Sequence, residues 1–254
     1  MSFSIKPLVA GNWKMKGTRE SLGELRAVVA GIDSDLSSLL EALICVPTTL
    51  LPRAFDIIGN ENLLLGGQNC HFDDSGPYTG EVSPFMLKEA GASYVIVGHS
   101  ERRTAHYESS AIVRAKVQAA WRAGLVALVC IGETLEDRRD RKVFDVLTEQ
   151  LDESLPDDAT AQNLVIAYEP VWAIGTGNAA TPADIAEVHD FVRGRVSTRF
   201  GDDGCKMRLL YGGSVKASNA FEILSTAHVN GALVGEASLK ANSFLDICGV
   251  YRKL

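Results

Sequence analysis

Short apolar runs recur along the chain, separated by longer segments in which apolar residues return every three or four positions. The runs lie at Pro7–Ala10, Ala42–Val46, Leu63–Leu65, Tyr94–Val97, Val126–Ile131, Leu164–Ala167, Met207–Tyr211 and Gly231–Val234. Runs that are apolar at every position, not at alternate ones, predict strands buried on both faces, the pattern of a parallel sheet. Between them the spacing is helical, as at Leu22, Leu25, Val28 and Ile32, which share one helix face. Ser83-Pro84 and Thr181-Pro182 each offer a capping hydroxyl followed by proline at the first helical position, and Asp184 completes a capping box. Eight strand–helix alternations without a Pro/Gly/Ser-rich linker predict one closed (β/α)8 barrel, a single domain over residues 1–254, in preference to an open doubly wound sheet.

One connection departs from this rhythm. Residues 68–82 have no regular period and exceed the usual ~2–6 residues between strand and helix. Tyr78 lies near the middle, just after Gly76-Pro77. Two readings remain open: a surface loop packed on itself, or a protruding aromatic loop that docks on another subunit.

Composition narrows the function. The length of 254 residues is close to the ~250 typical of one such barrel. With 46% hydrophobic and 22% charged residues, the chain can build a large core without metals or disulfides. A net charge of −7 argues against nucleic acid or an anionic membrane as partner, and no apolar stretch is long enough to span a bilayer. The five cysteines are odd in number and widely spaced, which suits reduced thiols in a cytoplasmic protein. The histidines show no metal-ligand spacing, so no metal is expected.

In a barrel of this kind, chemistry belongs at the carboxyl ends of the strands. Reading just past each run gives Asn12 and Lys14, then His99 and Glu101, then Glu169, then Gly212-Gly213-Ser214, and finally Gly235. A carboxylate, an imidazole and an ammonium group thus converge from distant parts of the chain. The glycines after the seventh and eighth runs let backbone N–H groups approach an anion at a helix N-terminus. Together with Lys14, they point to a phosphorylated substrate. His99 opens the segment 98–103, so the positive end of a short helix is expected to depress its pKa and keep the ring neutral. Arg102 and Arg103 are expected to make structural or surface ion pairs. Cys130 is read as a buried thiol beside the site. From Ala167 to Gly177 an apolar strand runs into Glu169, then a rigid proline, Trp172 and a Gly-Thr-Gly tail, which suits a base beside a movable lid.

These motifs resemble the triosephosphate isomerase family along essentially the whole chain: Ala10-Gly11-Asn12-Trp13-Lys14-Met15, Gly98-His99-Ser100-Glu101-Arg102-Arg103, Tyr168-Glu169-Pro170-Val171-Trp172 and Tyr211-Gly212-Gly213-Ser214-Val215. The resemblance implies an aldose–ketose isomerase of glycolysis and gluconeogenesis that uses no cofactor. It would interconvert dihydroxyacetone phosphate and D-glyceraldehyde 3-phosphate through an enediol(ate). It also implies Glu169 as base, His99 as electrophile, Lys14 and Asn12 as substrate ligands and Glu101 as support. Gly175, Ser214, Gly235 and Glu236 would contact the phosphate. A homodimer is implied, with the 68–82 loop, through Tyr78 and Thr79, reaching Met15 of its neighbour.

Three positions depart from the family pattern: Lys16 where most relatives have Asn, Pro77 where they have Ala, and Glu236 where a second glycine is usual. A carboxylate at 236 about 8 Å from the phosphate would repel it by about 2 kcal/mol per unit charge at an effective dielectric of ~20. The side chain is therefore expected to point away from the ligand. The same residue leaves open an isomerase of a longer ketose phosphate. A catalytically dead binding or scaffold relative is the more distant alternative, and intact Lys14, His99 and Glu169 argue against it.

Overall fold

The computed structural model describes residues 5–59, 62–173 and 180–254. Its strands are β1 (Leu8–Asn12), β2 (Glu41–Cys45), β3 (Leu64–Gly67), β4 (Tyr94–Val97), β5 (Val126–Ile131), β6 (Leu164–Tyr168), β7 (Arg208–Tyr211) and β8 (Gly231–Val234). Each pairs in parallel with its sequence neighbours, and β1 also pairs with β8 from Leu8↔Gly231 to Gly11↔Val234, which closes the barrel. The helices are α1 (Leu22–Gly31), α2 (Ser34–Leu39), α3 (Leu51–Ile58), α4 (Pro84–Glu89), α5 (Ser100–Ala105), α6 (Ser110–Arg122), α7 (Leu135–Arg139), α8 (Val143–Ser154), α9 (Pro182–Lys206), α10 (Ala220–Leu224) and α11 (Ala241–Cys248).

The caps act as the sequence suggests. Ser83 accepts the N–H of Met86 at the start of α4, and Thr181 and Asp184 form a reciprocal box at the start of α9. Alternation along the strands sorts the core into two shells. Leu8, Ala10, Leu43, Cys45, Ile96, Leu128, Cys130, Val165, Ala167, Leu210 and Leu233 fill the barrel interior. Val9, Ile44, Val95, Val129, Ile166, Leu209 and Val234 pack outward with the helices. Both faces are therefore apolar, as the continuous runs require.

β3 differs from its apolar run. It begins at Leu64 and continues through Gly66 and Gly67. A Cβ on Gly66 would lie 2.6 Å from Cys45 Sγ, and one on Gly67 2.6 Å from Leu87 Cδ1. Close packing of neighbours selects glycine there, and a search for apolar side chains passes over such a strand.

The 68–82 loop packs on itself. His71 stacks on Phe72 and Tyr78, with ring centroids 4.3 and 4.1 Å apart, and the Tyr78 hydroxyl donates to Asp73 at 2.5 Å. Arg122 of α6 holds Asp74 at 2.8 Å. Even so, Tyr78 remains 42% exposed.

Candidate active site

Continuing the inward alternation past the strand ends leads to Asn12 from Leu8 and Ala10, to Glu169 from Val165 and Ala167, to Gly212 from Leu210 and to Gly235 from Leu233. Period-2 geometry thus carries these positions onto one rim. Glu169 is 1% exposed, and its backbone N–H donates to Ile131 O of β5 at 2.7 Å. Its Oε1 lies 2.9 Å from His99 Nε2, and its Oε2 accepts the Ser100 N–H at 3.0 Å. Burial works to raise the Glu169 pKa, but contact with His99, the Ser100 N–H and the Cys130 thiol bring it below the ordinary value, so the carboxylate is ionised.

Two glycines make room for it. A Cβ at Gly132 would fall 1.8 Å from Glu169 O, and one at Gly212 would fall 2.8 Å from Glu169 Cγ. Gly212 therefore has a second reason to be glycine, besides the approach of an anion. The expected helix N-terminus is absent directly after Gly212-Gly213-Ser214, because α10 begins only at Ala220. Gly235, by contrast, immediately caps the short 3-10 turn Glu236–Leu239. A helical turn thus starts directly after the eighth strand and not after the seventh.

His99 is the N-cap of α5, and its Nδ1 accepts the Glu101 N–H at 3.2 Å. That bond places the ring proton on Nε2. The expectation of a depressed pKa needs correction for this arrangement. Burial lowers it, but the Glu169 carboxylate raises it further, and the net direction is upward. With Glu169 moved away, the chief raising cause disappears, and burial together with Lys14 favours the neutral ring.

Lys14 Nζ meets Glu101 Oε1 at 2.5 Å. Its backbone is left-handed (φ 54°), an uncommon conformation for a residue with a Cβ. Three bonds enforce it. Lys14 N–H donates to Asn12 Oδ1 at 3.0 Å, while Gln68 Nε2 donates to Lys14 O and to Cys45 O, both at 3.0 Å. Lys14 Cε lies 3.8 Å from the Cβ position of Gly235, so the ammonium arm borders the turn after β8. Glu236 is turned to solvent, its side chain 86% exposed, and Lys16 Nζ donates to it at 3.2 Å. Ser214 is exposed beyond β7. Gly175 and the rest of the expected lid tail lie in 174–179, outside the described residues.

Cys130 is buried, and burial pushes its thiol far up, so it is no nucleophile. Arg102 pairs with Glu108 at 2.6 Å. Arg103 instead makes no ion pair among the described residues and ties Gly98 O, Cys130 O and two serine hydroxyls together. Sequence reasoning passed over Gln68 and Glu133. Gln68 is the first residue after β3, so the rule that found the others could have found it. Glu133, fully buried, accepts from Tyr168 OH at 3.1 Å and Trp172 Nε1 at 2.7 Å, with Arg138 at 3.2 Å. Burial raises its pKa, and a carboxylate two residues past β5 was the available signal.

An eight-stranded parallel barrel that gathers a buried carboxylate, an imidazole and an ammonium group on its carboxyl-end rim has the parts of an enzyme that moves protons on an anionic substrate. A family profile described as Triosephosphate isomerase matches residues 7–251. Triosephosphate isomerase of Bartonella henselae is 74% identical over 254 residues, covering all of both chains, and that of Brucella abortus 58% over the same span. The crystal structure of triosephosphate isomerase from Bartonella henselae at 1.6 Å resolution superposes with a TM-score of 0.92 at 71% identity, covering 98% of this chain and 100% of that one. The chain belongs to the triosephosphate isomerase family, and it interconverts dihydroxyacetone phosphate and D-glyceraldehyde 3-phosphate.

Proposed function

We propose that Glu169 is the base that carries the proton between the two carbons of the triose phosphate. The observation that carries this reading is a fully buried, ionised carboxylate held by the Ser100 N–H and His99 Nε2, each within about 3.0 Å. To reach a substrate carbon, Glu169 leaves both partners. Its departure frees the Nε2–H of His99 to donate to the carbonyl oxygen on which enediolate charge collects. The same departure removes the chief cause raising the imidazole pKa, so the donor is neutral when it acts. Lys14, positioned by Asn12, Gln68 and Glu101, supplies positive charge to the same oxygen and to the phosphate. Backbone N–H groups at Ser214, Gly235 and Glu236 receive the phosphate, with Gly175 as a further contact. No cofactor enters this scheme. The longer ketose phosphate rested on Glu236, whose carboxylate is engaged by Lys16.

Turnover of dihydroxyacetone phosphate to D-glyceraldehyde 3-phosphate by wild type and Glu169→Gln tests the assignment. The variant should lose on the order of 10³-fold or more in kcat with KM nearly unchanged, since general-base catalysis alone contributes ~10²–10⁴. A variant retaining a tenth of wild-type kcat would remove Glu169 from the role.

The reading extends to assembly. The 98% exposure of Met15, with Phe72, Tyr78, Phe85, Met86 and Tyr107 also exposed, supports a homodimer in which the 68–82 loop, through Tyr78 and Thr79, covers Met15. Met15 follows Lys14 directly, so docking would brace the catalytic loop. One barrel from Leu8 to Val234 supports a single domain over 1–254, and five unpaired thiols support a cytoplasmic setting.

A further inference from the structure

Lys16 and Glu236 are 220 positions apart in sequence and hydrogen-bonded in space, Lys16 Nζ to Glu236 Oε1 at 3.2 Å. Lys16 stands two residues past Lys14 on the loop after β1. Glu236 follows Gly235 on the turn after β8. These segments are already joined at their buried base, where the Trp13 indole N–H donates to Ser238 O at 3.0 Å. A Cβ on Gly11 would also fall 2.6 Å from Ser238 Cβ, so the two backbones are in close contact there. The Lys16–Glu236 pair is a second tie between the same segments, at the exposed rim.

An exposed ion pair adds little to stability, so stability gives this one no reason to exist. Its electrostatic effect on a neighbour is larger. A carboxylate beside a turn whose N–H groups take a dianion opposes binding, and an ammonium held against that carboxylate cancels most of its field. We propose that Lys16 is a charge-balancing, positioning residue of the phosphate site, which holds the Glu236 carboxylate outward and offsets its repulsion of the substrate phosphate. This rests on the reading that the Gly235–Glu236 turn receives the phosphate. The pair also lets this chain carry a charged side chain on that turn, where the only physical requirement is a backbone N–H.

The test is competitive inhibition by inorganic phosphate, alongside KM for glyceraldehyde 3-phosphate, in wild type, Lys16→Asn, Lys16→Asn/Glu236→Gly and Glu236→Lys. At low ionic strength Lys16→Asn should weaken phosphate and raise KM by about fivefold. That is the size expected for one unpaired charge about 8 Å from a dianion in a water-like dielectric. kcat should stay within twofold, and the effect should shrink below twofold in ~1 M salt, where the Debye length is only ~3 Å. Adding Glu236→Gly should restore wild-type binding. A double variant as weak as Lys16→Asn, or a Lys16→Asn variant that binds phosphate normally at low salt, overturns the inference. Glu236→Lys separates that failure from a deeper one. If it tightens phosphate while Lys16→Asn is silent, only the role of Lys16 falls. If charge reversal at 236 also changes nothing, the turn is not where phosphate binds.

Discussion

The Cγ of Glu169 passes where a side chain on residue 212 would begin, and the Glu169 carbonyl passes where one on residue 132 would begin. Buried carboxylates need both a partner and room, and here the room comes from residues with no side chain. Gly212→Ala would push the Cβ to 2.8 Å from Glu169 Cγ and 3.0 Å from Tyr168 O, and the backbone oxygen cannot yield as a flexible side chain would. A displacement of about 1 Å in a reacting group costs on the order of 10²-fold. Gly212→Ala should therefore lower kcat by about 10- to 100-fold in addition to weakening phosphate inhibition. A loss confined to phosphate binding would instead mean that Gly212 serves only the anion. The left-handed Lys14 illustrates the same principle, since its conformation is held by Asn12 and Gln68 and not by its own preference.

Among the elements, α9 meets β6 through a buried histidine. His189 lies edge-on to Tyr168, with ring centroids 6.0 Å apart, and its Nδ1 is 3.2 Å from His228 O. Among the described residues its Nε2 has no hydrogen-bond partner. Burial depresses its pKa to about 4, from an ordinary value of 6.5. The sign follows directly: between those values the unfolded chain binds a proton that the folded chain refuses, so stability falls as pH drops from about 6.5 to about 4. The full loss is about 3 kcal/mol, taking 1.36 kcal/mol per unit. In His189→Asn the amide can keep the bond to His228 O, and the slope of urea stability over pH 4–6.5 should flatten by about that amount. An unchanged slope would place the acid sensitivity elsewhere.

For the whole molecule, the telling feature is an apolar side chain with nothing on it. Met15 is 98% exposed beside Lys14, so a charge placed there costs the isolated barrel almost nothing. Met15→Asp should therefore yield a folded monomer by light scattering, with kcat/KM reduced at least tenfold as Lys14 loses its brace. A dimer that survives the substitution with full activity would refute the docking geometry. In sequence alone the Tyr78 loop is open to two readings. The structure makes it self-packed through His71 and Asp73, yet that packing leaves its aromatic tip outward.

Much of this was written locally. Continuous apolar runs predict a two-faced parallel sheet, Ser83 and Thr181 announce their helices, and Asn12, Glu169 and Gly235 stand in the phase of the inward residues at the ends of three strands, so alternation and barrel closure carry them to the rim, while His99 owes its place to the start of α5. Distances between segments were not legible. Gly66 and Gly67 are glycine because of Cys45 and Leu87, and Gly212 is glycine because of Glu169. The imidazole of His99 is pulled toward its charged form by a carboxylate 70 residues away, against the local helix end that argued for neutrality. Lys16 and Glu236, each unremarkable or unwelcome alone, meet only when β8 closes against β1. Periodicity and chain stiffness act over a few residues and are present in any stretch of sequence; sterics and electrostatics act through space, and only the closed barrel assigns them their partners.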